Sequence, residues 1–195
     1  MVMDKSRLRR RMRATRAAVG DRAGKSDAIA RRLLDGLLND GAPHLHAGLR
    51  DAMDGAWFVY VSHGDEVGTH GLIRELLARG RTVAVPRLTE QGAMVAQRIA
   101  LFERLQPGRY GILEPTDDDS VVEPDLCVLP CVAVTQAGDR LGMGGGYYDR
   151  YLTARPDVQA IALAFDEQVI DAAPVEPHDR RVRWIVTPTR MIRCQ

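Results

Sequence analysis

Two spacings of apolar residues run through this chain. The first is helical. Leu8, Met12 and Val19 make a thin apolar stripe through residues 4–19, and arginines fill the other faces. Residues 26–38 repeat the pattern more strongly: Ile29, Leu33, Leu34, Leu37 and Leu38 share a face, and Ser26 stands where an N-cap belongs. Residues 39–55 are rich in Gly, Asp, His and Pro and read as a connection. From Trp57 onward short, solid apolar runs take over. WFVYVS (57–62), TVAVP (82–86), LCVLP (126–130), QAIALAF (159–165) and RWIVTP (183–188) are expected strands, with VAV (132–134) continuing the third past a kink at Pro130.

The first two strands are joined by the loop SHGDEVGTH and a helix from about Thr69 to Arg79, which closes one β-α-β unit. Residues 93–101 alternate weakly and suit an antiparallel piece. Residues 106–125 hold prolines, glycines and Asp117–Asp119 and read as loop. The glycine-rich segment 138–146 precedes a helix from about Tyr147 to Thr153. Strands alternating with helices predict an α/β protein: a three-layer, Rossmann-like fold with a mostly parallel sheet, helices on both faces and a basic N-terminal helix. At 195 residues the chain suits a single domain, 1–195. In such sheets ligands bind beyond the carboxyl ends of the strands, where SHGDEVGT and the glycine segment both fall.

Composition sharpens this in one respect. Hydrophobic residues at 45% and charged residues at 27% are ordinary for a globular protein, and no apolar run is long enough to span a membrane. Three cysteines without an apolar export segment predict a cytoplasmic protein without a disulfide framework. The formal net charge of +1, however, hides an asymmetry. Residues 1–16 carry seven basic side chains and one acid, a balance of +6, and the remainder carries −5. A basic helix beside an acidic body attracts phosphates, unless its arginines simply pair with that body. Lys5 stands out because the chain has 25 arginines and two lysines.

Several motifs fail on inspection. GDRAGKS (20–26) lacks the first glycine of a P-loop, since Val19 occupies that position, and it follows a helix; a helix-to-helix turn is expected. The glycine segment is no dinucleotide fingerprint, because Tyr147 replaces the third glycine. Cys127 and Cys131 have no second pair and read as buried thiols. His44, His46, His63 and His70 lack metal-site spacing, and no Gly-x-Ser-x-Gly elbow is present.

DRLGMGGGYYDRYL (139–152) is the segment that carries chemistry. Four glycines in five residues are costly in backbone entropy, and close approach of backbone N–H groups to an anion repays that cost. Arg140 offers a planar fork for phosphate oxygens, Tyr147 and Tyr148 suit a planar ring, and Asp149 suits Mg2+ between phosphate oxygens.

With these residues in hand, the chain resembles the 5-formyltetrahydrofolate cyclo-ligase family, also called 5,10-methenyltetrahydrofolate synthetase. RLGMGGGYYDRYL looks like its glycine-rich ATP signature, KSRLRRRMRATR like its basic helix, and VSHGDEVGTHGLIRELLARGRTVAVPRL like its first β-α-β unit. GILEP, DLCVLPCVAV, ALAFDEQ and PVEPHDRRV follow in the family's order. The resemblance implies an ATP-dependent ligase with Mg2+, acting on ATP and 5-formyltetrahydrofolate. It implies a monomer that binds neither nucleic acid nor membrane. Lys5 and Arg9 would reach the ATP phosphates. Arg140, Leu141, Gly142, Met143, Gly144, Gly145 and Gly146 would cradle the nucleotide, with Tyr147 and Tyr148 beside it. Lys5, Arg140 and Tyr148 would serve catalysis, and Asp149 and Asp179 would hold the metal. The folate side would use His63, Glu66, Gly68 and Tyr110 together with residues 143–147. One position departs from the family: Gly68 stands where an acid is usual, leaving its part to Asp65, Glu66 or a backbone carbonyl. A nucleotide- or folate-binding protein without turnover is the alternative that this departure favours. An RNA-binding protein led by the basic helix is a third, opposed by the scarcity of aromatic residues and the acidic body.

Overall fold

The computed structural model describes residues 4–38, 49, 52, 54–108, 111–116 and 120–195. Tyr110, Asp117–Asp119 and most of the 39–55 connection lie outside the described residues. Among those described, no helix is long and apolar enough to cross a membrane.

Seven strands form the main sheet: β1 (Trp57–Val59), β2 (Val83–Leu88), β3 (Met94–Ile99), β6 (Leu126–Pro130), β9 (Gln159–Leu163), β11 (Trp184–Val186) and β12 (Met191–Arg193). Their order is β12-β11-β9-β6-β1-β2-β3. The five inner strands run parallel, and β3 and β12 pair antiparallel at the two edges. The weak alternation of residues 93–101 is therefore an antiparallel strand, as expected, and it lies at the sheet's edge.

The apolar runs are solid because both sheet faces are covered. Trp57 and Val59 point to one face, where Ile29 and Leu33 of α2 (Arg22–Leu38) and Leu72, Ile73 and Leu76 of α3 (His70–Ala78) pack. Phe58 points to the other, against Tyr151 and Leu152 of α4 (Tyr147–Thr153). Its ring lies 4.9 Å from that of Tyr151.

A second, small sheet joins β7 (Ala133–Thr135), β8 (Arg140–Leu141) and β10 (Val169–Ile170). The basic helix α1 (Lys5–Ala17) docks on it through Leu8 and Met12, which meet Val132, Ala133 and Leu141. Asp4 caps α1 by accepting from the Arg7 amide.

Four expectations need correction. Helix α2 begins at Arg22, because Asp21 caps it: at φ 47° its carboxylate accepts from the Gly24 amide at 3.2 Å. GDRAGKS is thus a turn at Gly20–Asp21 followed by helix, and Ser26 lies inside it. Residues 132–134 leave the main sheet, because side chains rather than a neighbouring strand take the carbonyls at the β6 exit. Arg140 bonds Pro130 O, Arg16 bonds Cys131 O, and Gln168 bonds both Cys131 O and Val132 O. The 106–125 loop contains a short hairpin, β4 (Gln106–Pro107) with β5 (Leu113–Glu114), turned at Gly111 with φ 73°. Finally, β12 escaped notice. It is only three residues long, and Thr187 makes its turn by accepting from the Thr189 and Arg190 amides.

Candidate active site

From β1 the chain passes to β2 and β3, then returns to β6 on the other side of β1. The segments leaving β1 and β6 therefore diverge, and a crevice opens between them. A cleft of about 1010 Å³ occupies this place. Tyr60 and Val61 beyond β1, Pro130 at the end of β6 and Cys131 beyond it form its floor.

One end is made by α1 and the glycine segment. Lys5 and Arg9 stand one turn apart on the helix face turned to the cleft. The Arg9 Nε donates to Gly142 O at 3.0 Å and so pins the glycine segment to α1. Gly144 has φ 104°, and a Cβ there would lie 3.5 Å from the Arg9 guanidinium. Gly146 ends the segment in the left-handed region and starts α4. The amides of Gly144, Gly145 and Gly146 donate to no protein acceptor among the described residues. Met143 is exposed at the rim, whereas Leu141 is buried against α1. The Arg150 guanidinium lies over the Tyr147 ring.

Lys5 has two partners: Asp179 Oδ2 at 2.6 Å and Glu176 Oε2 at 2.8 Å. Burial pulls the Lys5 pKa down, but these hydrogen bonds outweigh it and hold the ammonium above its ordinary value. Burial acts on Asp179 in the opposite sense, and the Lys5 hydrogen bond with the Glu176 amide brings its carboxyl below the usual value. Ligand atoms of Glu176, His178 and Asp179 lie within 4.8 Å of one another, a set able to hold a cation. Asp149 is placed beside them, since its Oδ1 accepts from the Arg180 amide at 3.2 Å and from Arg140 Nη2 at 3.0 Å. Arg140 itself is buried. Its fork is spent on Pro130 O and Asp149, and its Nε has no partner among the described residues.

The other end is made by the segment after β1. Ser62 and Thr69 clasp it with reciprocal backbone-to-hydroxyl bonds of 3.0 Å, and Tyr60 donates its hydroxyl to Val67 O at 2.7 Å. The His63 amide donates to Glu66 Oε2 at 3.0 Å. Burial raises the Glu66 pKa, and this amide and Arg16 only partly offset it. Burial likewise pushes up the Tyr148 hydroxyl, and the Glu66 charge adds to it. Gly68 lies outside the cleft lining. Its amide donates to Ser26 Oγ at 2.9 Å, and a Cβ there would meet that same Ser26 at 3.4 Å. The acid missing from position 68 thus leaves no gap in the cleft wall.

The structure brings Lys5, Arg9, Gly142–Gly146, Tyr147, Tyr148, Asp149 and Asp179 to one cleft with His63 and Glu66. It sets Gly68 behind the wall, and Tyr110 lies outside the described residues. Sequence reasoning missed Arg16, Glu176 and His178, and it named Asp65 only as a stand-in for the acid absent at position 68. Helical spacing pointed to Arg16, which follows Arg9 by two turns on the same face.

Comparison with known proteins agrees with this architecture. The sequence model of the 5-formyltetrahydrofolate cyclo-ligase family matches residues 2–188. The chain is 33% identical over 143 residues to a 5-formyltetrahydrofolate cyclo-ligase of Mycolicibacterium smegmatis, covering 68% of this chain and 73% of that one. It is 33% identical over 141 residues to the Escherichia coli K12 enzyme of that name, covering 68% and 78%. An Aquifex aeolicus 5,10-methenyltetrahydrofolate synthetase superposes with a TM-score of 0.80 at 25% identity, over 99% of this chain and 94% of that one. By sequence and by fold, this chain belongs to the 5-formyltetrahydrofolate cyclo-ligase family.

Proposed function

We propose that the chain catalyses the ATP-dependent cyclisation of 5-formyltetrahydrofolate to 5,10-methenyltetrahydrofolate, with release of ADP and phosphate. One observation carries this reading: Lys5, Arg9 and the open glycine amides face one end of a cleft whose other end presents Glu66. The first end suits a triphosphate, and the second suits a ring bearing N–H donors.

The formyl group on N5 is an amide and a poor electrophile. Transfer of the ATP γ-phosphoryl to the formyl oxygen releases ADP and makes an imino-phosphate. N10 then attacks the activated carbon and loses its proton, and phosphate departs with the former formyl oxygen. The substrates supply both nucleophiles, so the protein must position them and neutralise charge. Lys5 leaves Asp179 and Glu176 for the phosphates, and Arg9 and the glycine amides hold the chain of phosphates in line. Tyr148, half-buried over the cleft floor, keeps its hydroxyl protonated and able to donate to the transferring group. Arg140 keeps Asp149 in place from behind.

Mg2+ would be held by Asp179 and Glu176, oxygen ligands of the hard type it prefers, with Asp149 joining from its place on the amide of Arg180, the residue after Asp179. Bound there, it would offset charge on the phosphate oxygens. The reading takes the protein as a cytoplasmic monomer whose partners are small molecules, without nucleic acid or membrane. Incubation with ATP, Mg2+ and 5-formyltetrahydrofolate tests it. The methenyl product absorbs in the near ultraviolet, so absorbance rises with time. A flat trace beside measurable binding of both substrates would instead mark a binding protein.

A further inference from the structure

The reading above gives no part to Arg16, yet this residue sits at the centre of the cleft's architecture. Its side chain is 3% exposed. It leaves the last turn of α1 and reaches the segments that follow both central strands. Nη2 donates to Asp65 Oδ1 at 2.7 Å, and Nη1 donates to Cys131 O at 3.2 Å. Nη1 also lies 3.9 Å from Glu66 Oε1, and the buried Nε has no partner among the described residues. Burying a guanidinium is costly, and an apolar side chain would pack the end of α1 at less cost. The arrangement points to a task other than stability.

The division of labour between the two neighbouring carboxylates indicates that task. Asp65 takes the short bond and with it most of the guanidinium's charge. Burial raises the Asp65 pKa, but the Arg16 hydrogen bond and charge more than reverse this. Glu66 is left at the longer distance. Its Oε2 is tied to the His63 amide, and the rest of the carboxylate lines the cleft. Glu66 is thus aimed by Arg16 without being consumed by it. A carboxylate held this way is free to accept from the paired N–H donors of an amino-pyrimidine ring.

We propose that Arg16 is a positioning residue for the folate, acting with Asp65 to aim Glu66 at the pterin ring without touching substrate itself. The proposal rests on the cyclo-ligase reading for the identity of the ring. If Arg16 merely anchored α1, its loss would disturb Lys5 and Arg9 on the same helix, and ATP binding would suffer equally.

Steady-state kinetics and equilibrium binding of 5-formyltetrahydrofolate to the full chain separate the two roles. In Arg16→Lys, which keeps the charge and loses the fork, KM for 5-formyltetrahydrofolate rises roughly ten-fold or more while KM for ATP stays within about two-fold. Asp65→Asn, which frees the guanidinium to close on Glu66, shifts the same constant in the same direction. Should Arg16→Lys fail to fold, the double variant Arg16→Met with Asp65→Leu, which removes the buried pair together, decides the matter. It is expected to fold and to bind folate weakly. A parallel rise in both KM values, or wild-type folate affinity in the double variant, overturns the proposal. The cyclo-ligase reading fails separately, through absence of product from the wild-type protein, and the folate-binding comparison then still tests Arg16.

Discussion

Both ends of the cleft use a buried arginine that takes a carbonyl at the exit of β6 and a carboxylate, from the first turn of α4 at one end and from a loop at the other. At the phosphate end it is Arg140, bonded to Pro130 O and to Asp149 nine residues away. At the folate end it is Arg16, bonded to Cys131 O and to Asp65 at a separation of 49 residues. The first pair lies in a local cassette, in which strand, glycine turn and helix follow without interruption, although α1 and the turn at Glu176–Asp179 complete that end from far away in sequence. The second is assembled by the fold from a helix, a loop and a strand exit. A locally encoded pair forms with its own segment, whereas an assembled pair depends on each of its contributors holding register.

The largest effects fall at the phosphate end. Lys5→Ala and Asp149→Ala are expected to cut turnover by roughly ten- to a thousand-fold with an unchanged circular-dichroism spectrum. Wild-type rates in both would break the assignment of this end. Gly144→Ala comes next. An alanine at φ 104° stores about 1–3 kcal/mol of strain beside Arg9, and KM for ATP rises roughly ten-fold, more than KM for folate. Ser26→Ala probes the other end more gently. It removes the hydroxyl that accepts from the Gly68 amide, at a cost of about 1 kcal/mol, read as a lower melting temperature. Folate affinity falls with it and ATP affinity does not.

The smallest effect is in pH dependence. Partnered cations hold the carboxyls of Asp65 and Asp179 below the ordinary value of 3.8 in the fold. The stability they add is complete above that value and is lost as pH falls through their folded pKa values. Asp65→Asn flattens the acid limb of a urea-midpoint profile. An unchanged profile would mean that the Arg16 pair contributes nothing to stability.

The same contrast explains what could be read in the sequence. The glycine segment announced itself because four glycines before a helix have no cheap structural use, and Lys5 because lysine is rare in this chain. The inner strands were legible as solid apolar runs, since both faces of the sheet are covered. The true start of α2 was hidden because Asp21 caps from a left-handed backbone that no periodicity reveals. The departure of residues 132–134 from the main sheet depends on Arg16, Arg140 and Gln168, two of them distant in sequence. Gly68 looked like a lost ligand, yet its direction could be known only once Ser26 was seen behind it. Arg16 and Asp65 make sense only as a pair, and nothing short of the folded chain puts them together.

The docking of α1 has a practical consequence. This helix brings Lys5, Arg9 and Arg16 to the cleft, yet it rests on the small Leu8–Met12 cluster rather than on the main core. Detachment of one short element would strip both substrate subsites of their cations while the large sheet stayed whole. Warming will silence such a protein before it unfolds it, and saturating both substrates will close the gap between the two temperatures.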